Sequence, residues 1–516
     1  MRKFLAVLVA VMVVGCAGDE GGTGSALASH TVGGSITGLA VPGLVLINGS
    51  YSVSPTPGNS TFRFTTAQAE GTSYNVAVQT QPPGVSCSVL GGTGTVGSTD
   101  VSTVSVTCSP LLYSIGGSVI GLSGTGLVLA NASDSIDVAP GAAEFVLPGI
   151  PNGSTYQVTI KTQPFGQSCS LASASGTIQL QGVSSIKVTC QAHMLYVASD
   201  VSNVIDQLPI DASGAPSTAN AVSIASDSYP RRLALSPDGT RLYVAAAGAA
   251  AVDVYAVGAD GLLAYATPAS IATGGIPTGI AFTPDGKYAY VSSAQSSSIW
   301  MYAAGDGGSL SALSPVSIAA ASGTYGLAVS GRWLYAVGGG AVSMFSIGAD
   351  GVLAPLPVPS AQTGSVPYNI VIAPDGRFAY SVNYGDNSIR VFAIQVDGSL
   401  ARVSIGDVST GGSGPTDMVF SSDGRSAYVP NFYGDSVAQY SVGADGTLTP
   451  MSPATVSSGG EGPVTVAVDT DGRTIYVGNL RSNSIATFRT NTDGTLADTP
   501  IAVISTAARP YHLIAR

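Results

Sequence analysis

A tyrosine followed within two positions by valine returns at Tyr196, Tyr243, Tyr290, Tyr335, Tyr380, Tyr428 and Tyr476, at steps of 47, 47, 45, 45, 48 and 48 residues. A fixed period means one supersecondary unit used repeatedly, each copy burying a face against its neighbours. The unit is clearest between Pro277 and Pro315. "TGIAFT" reads as an inner strand, "PDGK" as a tight turn and "YAYVSS" as a second strand. "AQSSS" follows as a looser loop, "IWMYAA" as a third strand and "GDGGSL" as another turn before an edge strand. Four strands per unit at this period predict a seven-bladed β-propeller. The series begins on a second strand, "MLYVAS", and ends on an inner strand, "RPYHLIAR". The last strand is therefore expected to pair near Met194 to Ser199, closing the ring and removing its exposed edges.

Two kinds of turn punctuate the units. "PDG" joins the first two strands. Asp-Gly recurs between the third and fourth at Asp260-Gly261, Asp350-Gly351, Asp397-Gly398, Asp445-Gly446 and Asp493-Gly494. Asp-Gly suits a hairpin that needs positive φ. A repeated carboxylate binding calcium is the alternative for "PDG". The unit at Val329 reads "VSGRWLY", loses the Asp and keeps the rhythm. A turn tolerates that loss better than a ligand set does.

Only 9% of the 516 residues are charged, against roughly 25% in ordinary globular chains. Glu occurs only at Glu20, Glu70, Glu144 and Glu461, while Gly (66) and Pro (30) abound. The chain is poor in helix formers and reads as nearly all β. With a net charge of -11 and no basic run after Arg2-Lys3, it lacks the cation clusters that nucleic acid requires.

The N-terminus reads as a targeting segment. Arg2 and Lys3 precede the 12 apolar residues from Phe4 to Gly15, short of the about 20 that span a bilayer. "VVGC", Val13 to Cys16, resembles the bacterial lipobox, whose Cys is lipidated and becomes the mature N-terminus. An ordinary secretory signal is the alternative. The other cysteines form two pairs, Cys87 with Cys108 and Cys169 with Cys190, each separated by 21 positions. In an exported chain equal spacings favour two disulfides over zinc sites, since neither pair has a CxxC motif.

These pairs lie in a duplication. "VGGSITGLAVPGLVLINGS" (Val32 to Ser50) matches "IGGSVIGLSGTGLVLANAS" (Ile115 to Ser133), and "YNVAVQTQPPGVSCSV" matches "YQVTIKTQPFGQSCSL". Each unit reads as an immunoglobulin-like β-sandwich tied by a disulfide. The expected division is a signal over residues 1–15 and a lipidated Cys16 with a flexible tether over 16–31. Sandwiches over 32–109 and 113–191 form a stalk, and the propeller occupies 193–516.

"GPTDMVFSSDGRSAYVPNFYGDSVAQYSVGADGTLTP" (Gly414 to Pro450), with "YVPN" and "YVGN" at Tyr428 and Tyr476, resembles the bacterial lactonase-like propellers. These include the cytosolic 6-phosphogluconolactonase type and surface proteins with a YVTN repeat. The resemblance covers about residues 193 to 516. It implies the fold, and it raises lactone hydrolysis as an activity. An export signal argues against a phosphorylated cytosolic substrate.

Binding is expected where loops vary, before the inner strands and in "NYGDNS" (Asn383 to Ser388), "NFYGDS" (Asn431 to Ser436) and "NLRSNS" (Asn479 to Ser484). Aligning the inner strands on their proline puts Arg232, Gly279, Gly326, Asn369, Asp417, Thr465 and His512 in one column. Apolar residues follow it, so the column is expected to form a wet funnel mouth above a packed core. Tyr229, Arg231, Glu461 and Tyr511 lie close in register. The expected ligand-binding set is Tyr229, Arg231, Arg232, Asn369, Asp417, Glu461, Tyr511 and His512. A hydrolase would use His512 or Glu461 to activate water and Arg232 to hold the carbonyl oxygen. Polar side chains satisfying one another in a solvated channel are the alternative. His193 and His512 fall at opposite ends of one blade, so a two-His metal site is not expected, and no cofactor motif is present. The leading reading is a lipid-anchored envelope protein binding a glycan, a small lactone or a protein partner on its loop-rich face. Lactone hydrolysis is second, and a structural or adhesive role third.

Overall fold

The computed structural model describes residues 28–516 except 212, 220, 404 and 405. The signal segment, Cys16 and most of the tether lie outside the described residues. The structure is all β, with a single 3-10 turn at Asp306–Gly308 and no α-helix among the described residues.

Seven antiparallel sheets build the propeller. Blade 1 is assembled from both ends of the series: inner strand Pro510–Ala515, then Met194–Ser199, Val204–Pro209 and Val222–Ala225. The inner strands of blades 2 to 7 are Pro230–Leu235, Pro277–Phe282, Leu327–Ser330, Pro367–Ile372, Val419–Phe420 and Pro463–Val468. The expected closure is present. Leu195 faces Ala515 and Ala198 faces His512 in the ladder, and Met194 and Arg516 exchange backbone hydrogen bonds at 3.1 and 2.9 Å.

The repeated tyrosine is the pin of this frame. Each second strand buries its tyrosine in a core shared with an adjoining blade: Tyr196 with Leu233 and Val244, Tyr243 with Ile280 and Val291, and Tyr476 with Leu195 and Leu513. The ring stays apolar, but the phenol oxygen must find a partner when buried. It finds the glycine carbonyl of the next blade's third-to-fourth turn. The bonds run from Tyr196 to Gly261, Tyr243 to Gly308, Tyr290 to Gly351, Tyr335 to Gly398, Tyr380 to Gly446, Tyr428 to Gly494 and Tyr476 to Gly214, all between 2.6 and 3.1 Å. Those glycines have φ of +79 to +86°, the left-handed region in which a side chain is strained. A Cβ at Gly351 would sit 2.1 Å from the Tyr288 ring. The Asp-Gly turns are thus both hairpin and receptor.

The "PDG" carboxylates are spent locally. The Thr283 hydroxyl donates to Asp285 at 2.7 Å and the Lys287 amide at 3.2 Å; Asp238 and Asp423 repeat the pattern.

The described residues fall into two compact units. One holds the first repeat, up to Ile115, with residues 148–155 and 177–183; the other holds the rest of the second repeat and the propeller. The units therefore do not follow the repeat boundary. Each repeat carries two four-stranded sheets with the same strand order. In the first, Val101–Pro110 runs parallel to Val32–Thr37 and antiparallel to Val85–Leu90.

Both expected disulfides are present: Cys87 is bonded to Cys108, and Cys169 is bonded to Cys190. Cys108 lies directly opposite Cys87 on the neighbouring strand of its sheet, and Cys190 lies directly opposite Cys169. Each bond therefore staples two adjacent strands of one sheet. It does not tie the two sheets of a sandwich together, as the conserved bridge of an immunoglobulin domain does. The reason is register: over a separation of 21 positions the chain runs out and back, so that Cys108 and Cys190 return beside Cys87 and Cys169 in the same ladder. The two four-stranded sheets of each repeat are consistent with the expected sandwich.

Candidate functional site

The turns between first and second strands, and between third and fourth, lie at one end of the propeller, the turn face. The opposite, loop-rich face carries the loops that enter the inner strands and those leaving the second strands. Alternation along the inner strands aims every second side chain at the channel.

Most of the column expected to be wet is buried, with Arg232 and His512 partly exposed. Asn369, Asp417 and Thr465 are 4%, 5% and 0% exposed. Asp417 accepts a hydrogen bond from Asn369 Nδ2 at 2.8 Å, from Thr465 Oγ1 at 3.3 Å and from the Met418 amide at 3.0 Å. Arg232 on blade 2 reaches Asp417 at the head of blade 6, its Nη2 3.9 Å from the carboxylate. A second link joins Tyr368 on blade 5 to Tyr511 on blade 1 through their hydroxyls at 2.7 Å. Both pairs join blades on opposite sides of a seven-membered ring, so they act as crossbars. The expectation of an open, solvated mouth above a packed core is corrected on both counts. Side chains long enough to cross the channel close it at this level, and the apolar layer beneath lines a cavity.

His512 is partly buried beside Arg232. Loss of solvation, with the nearby guanidinium charge, holds its pKa well below the usual range. The Leu233 amide donates to its Nδ1 at 3.4 Å, which leaves the proton on Nε2. His512 therefore offers a donor, not a base. Glu461 is exposed on the loop before blade 7, and among the described residues its carboxylate has no hydrogen-bond or ion-pair partner. The three catalytic candidates thus separate: Arg232 and His512 adjoin, and Glu461 is not brought to them. Tyr229 is exposed on the loop-rich face with φ of +55°.

The next column outward, directly after the proline, carries the mouth itself. It supplies Arg231, Tyr325, Tyr368 and Tyr511 to one narrow cleft. Arg231 lies over the Tyr511 ring at 5.2 Å. Tyr325 stacks on Tyr368 at 5.1 Å between centroids, and Tyr368 approaches Tyr384 at 6.0 Å. Tyr384 meets Tyr433 at 6.0 Å, Tyr433 meets Phe432 at 5.0 Å, and Arg481 covers both at 5.3 and 4.7 Å. An aromatic arc therefore runs from blade 4 to blade 6, capped by Arg481 of blade 7. Tyr384, Phe432, Tyr433 and Arg481 come from the variable loops singled out by sequence.

One carboxylate at this face has no sequence signal. Asp200, just past the second strand of blade 1, is 3% exposed. Its nearest cation is Arg509, with Nε 3.6 Å from Oδ1. Burial raises its pKa against the opposing charges of Arg509 and Arg231. Asp200 Oδ1 and Arg231 Nε are both buried and make no hydrogen bond. Among the described residues no group of three or more His, Cys, Asp or Glu is placed to hold a metal ion.

A sequence model of the lactonase family of seven-bladed β-propellers matches residues 156–266, 320–418 and 404–507, more than half of the chain. The chain belongs to that family. No curated protein sequence matches it significantly. Solved lactonase-like structures share its fold. A candidate 6-phosphogluconolactonase from Bacteroides fragilis has a TM-score of 0.54 at 22% identity, over 63% of this chain and 98% of that one. The periplasmic gluconolactonase PpgL of Pseudomonas aeruginosa gives 0.52 at 22%, over 62% and 98%. A protein from Lactobacillus plantarum gives 0.55 at 18%, over 63% and 99%. At these identities the likeness is one of fold.

Proposed function

We propose that this lactonase-family protein is exported, is lipid-anchored through Cys16, and binds a polyhydroxylated, sugar-type ligand on the loop-rich face of its propeller. The aromatic arc from Tyr325 to Phe432 carries the reading. A sugar ring has apolar C–H faces and a polar rim, so it stacks on aromatic rings while its hydroxyls seek hydrogen bonds. Beside the arc, Arg231 lies over the Tyr511 ring and lines the narrow cleft, adding a cationic hydrogen-bond donor at its rim. Titrating the purified mature protein with envelope oligosaccharides and with gluconate tests this. Saturable binding weakened at least tenfold by Tyr433→Ala is expected. Equal binding by parent and variant would place the ligand elsewhere.

Export is supported by the two disulfides and by a periplasmic relative of the same fold. The anchor rests on "VVGC". Cys16→Ser should abolish lipid labelling and release the protein from membranes; unchanged detergent partitioning would remove the anchor from the reading.

Lactone hydrolysis is the second reading, favoured by the family and by Asp200. Water would add to the lactone carbonyl, the ring C–O bond would break, and a hydroxy acid would form. A carboxylate whose pKa burial raises suits the base that accepts the water proton. Turnover of δ-gluconolactone, lost in Asp200→Asn, would support it. The absence of turnover by the parent would dismiss it.

A further inference from the structure

We infer that the central channel is a second site, entered from the turn face, which takes a small amphipathic carboxylate: an alkyl or aryl body ending in an acid group. This goes beyond the loop-face reading and does not depend on it.

Below the buried ring the channel widens into a cavity of about 390 Å³ that runs to the strand ends on the turn face. Two positions past the ring residues, the same face of the inner strands presents Ala328, Val371, Val419, Ala467 and Ile514. None is polar. This apolar layer gives an alkyl or aryl guest a surface on which to leave solvent, with the polar groups gathered at the ring end. At the roughly 30 Å³ that a water molecule occupies in the liquid, the cavity holds about a dozen non-hydrogen atoms.

The far end of the cavity sets the head group. Arg232 and His512 both line it. Arg232 is a donor only, and its one acidic neighbour, Asp417, stands at 3.9 Å. His512 has its Nδ1 taken by the Leu233 amide and offers Nε2–H. Asn369 is engaged, its Nδ2 donating to Asp417 and its Oδ1 accepting from the Ile370 amide. Asp417 is occupied by the contacts given above. The end therefore presents a guanidinium, partly offset by Asp417 at 3.9 Å, and an imidazole N–H as donors. A carboxylate accepts from both in charge-assisted bonds that an alcohol lacks, and an amine would add a like charge. The Arg232–Asp417 and Tyr368–Tyr511 crossbars separate this chamber from the loop-rich face.

Calorimetric titration of the full chain with octanoate, 1-octanol and acetate tests the inference. Octanoate should bind saturably at one site. The alcohol, which lacks the charge, and acetate, which lacks the apolar body, should bind at least tenfold more weakly. Ala328→Trp fills the chamber and should weaken octanoate at least tenfold, with binding on the loop-rich face unchanged. Arg232→Gln should weaken octanoate and leave the alcohol as it was, separating head-group recognition from any loss of fold. No saturable octanoate binding by the parent would overturn the site, as would equal binding by folded Ala328→Trp. Loss of loop-face binding alone would count only against the function proposed above.

Discussion

The Tyr476 hydroxyl donates to the Gly214 carbonyl at 2.9 Å, and this bond carries the last blade onto the first. It is the seventh member of a series in which each blade grips a turn of the next. The repeat that dominates the sequence is therefore a device for blade-to-blade cohesion. Tyr476→Phe keeps the ring packing and deletes the donor, leaving a buried carbonyl unsatisfied at a cost of about 1–3 kcal/mol. Tyr290→Phe should cost a similar amount, because Tyr290 meets Gly351 at 2.9 Å in the same way. Chemical denaturation of both variants checks this. A loss confined to Tyr476 would mean that closure, not the repeated bond, governs stability.

Asp417 is a structural centre, not a free carboxylate. Its removal would strand Asn369, Thr465 and the Arg232 charge in a buried ring. Asp417→Ala should destabilise by about 3–5 kcal/mol, the usual loss when one partner of a buried ion pair is deleted. Asp417→Asn, which retains hydrogen-bonding capacity, should cost less. Thermal melts of the two decide the matter; equal melting of Asp417→Ala and the parent would return the ring to solvent.

Stability should fall in two steps on acidification. His512 is held below its ordinary value of 6.5, so beneath that pH the unfolded chain takes up a proton that the folded chain refuses. Stability is then lost as pH falls below about 6.5. The turn aspartates work lower. Hydroxyl donors Ser236, Thr283 and Ser421 depress Asp238, Asp285 and Asp423 below 3.8. Their contribution is present above that value and is lost as pH falls through the depressed pKa. Asp200 has the opposite sign, since burial raises it and its protonation favours the folded state. His512→Gln should remove the upper step and leave the lower one. Melting temperatures from pH 7 to pH 3 give the comparison, and an unaltered upper step would place its origin elsewhere.

What the sequence makes legible follows from repetition. Tyr196 to Tyr476 and the Asp-Gly turns can be placed because each recurs with its partner at a fixed offset. The pairing of Cys87 with Cys108 and of Cys169 with Cys190 is legible for the same reason, although the sheet that each bond staples is not. The closing strand follows because the series starts and ends mid-blade. The inner-strand column is legible too, since the proline sets its register. Its solvation is not, because that depends on Arg232 and Tyr368 reaching across to Asp417 and Tyr511, far away in sequence. Tyr325 and Tyr368 stand one position from the chosen column, and the same alignment would have found them. Asp200 has no such signal. It occurs once, in a loop, and only the fold buries it beside Arg231 and Arg509.

The closing strand Pro510–Ala515 offers the most severe test of the ring. It pairs along Met194–Ser199, every residue of which is buried, and it supplies Leu513 to the core shared by blades 7 and 1. Deleting residues 510–516 removes that ladder, the Tyr511 crossbar and the His512 donor together. Each ladder bond is worth only about 1 kcal/mol. The larger consequence is an exposed apolar edge on Met194–Ser199, which is a template for pairing with other chains. The truncated protein should aggregate or melt far below the parent in size-exclusion and calorimetric measurements. Leu513→Ala provides the milder version, expected to cost about 2–5 kcal/mol through its cavity while the edge stays paired. If the truncated chain remained monomeric and melted with the parent, the inner strand of blade 1 would contribute nothing to closure. The Tyr476–Gly214 bond, with the packing around it, would then have to hold blades 7 and 1 together without it.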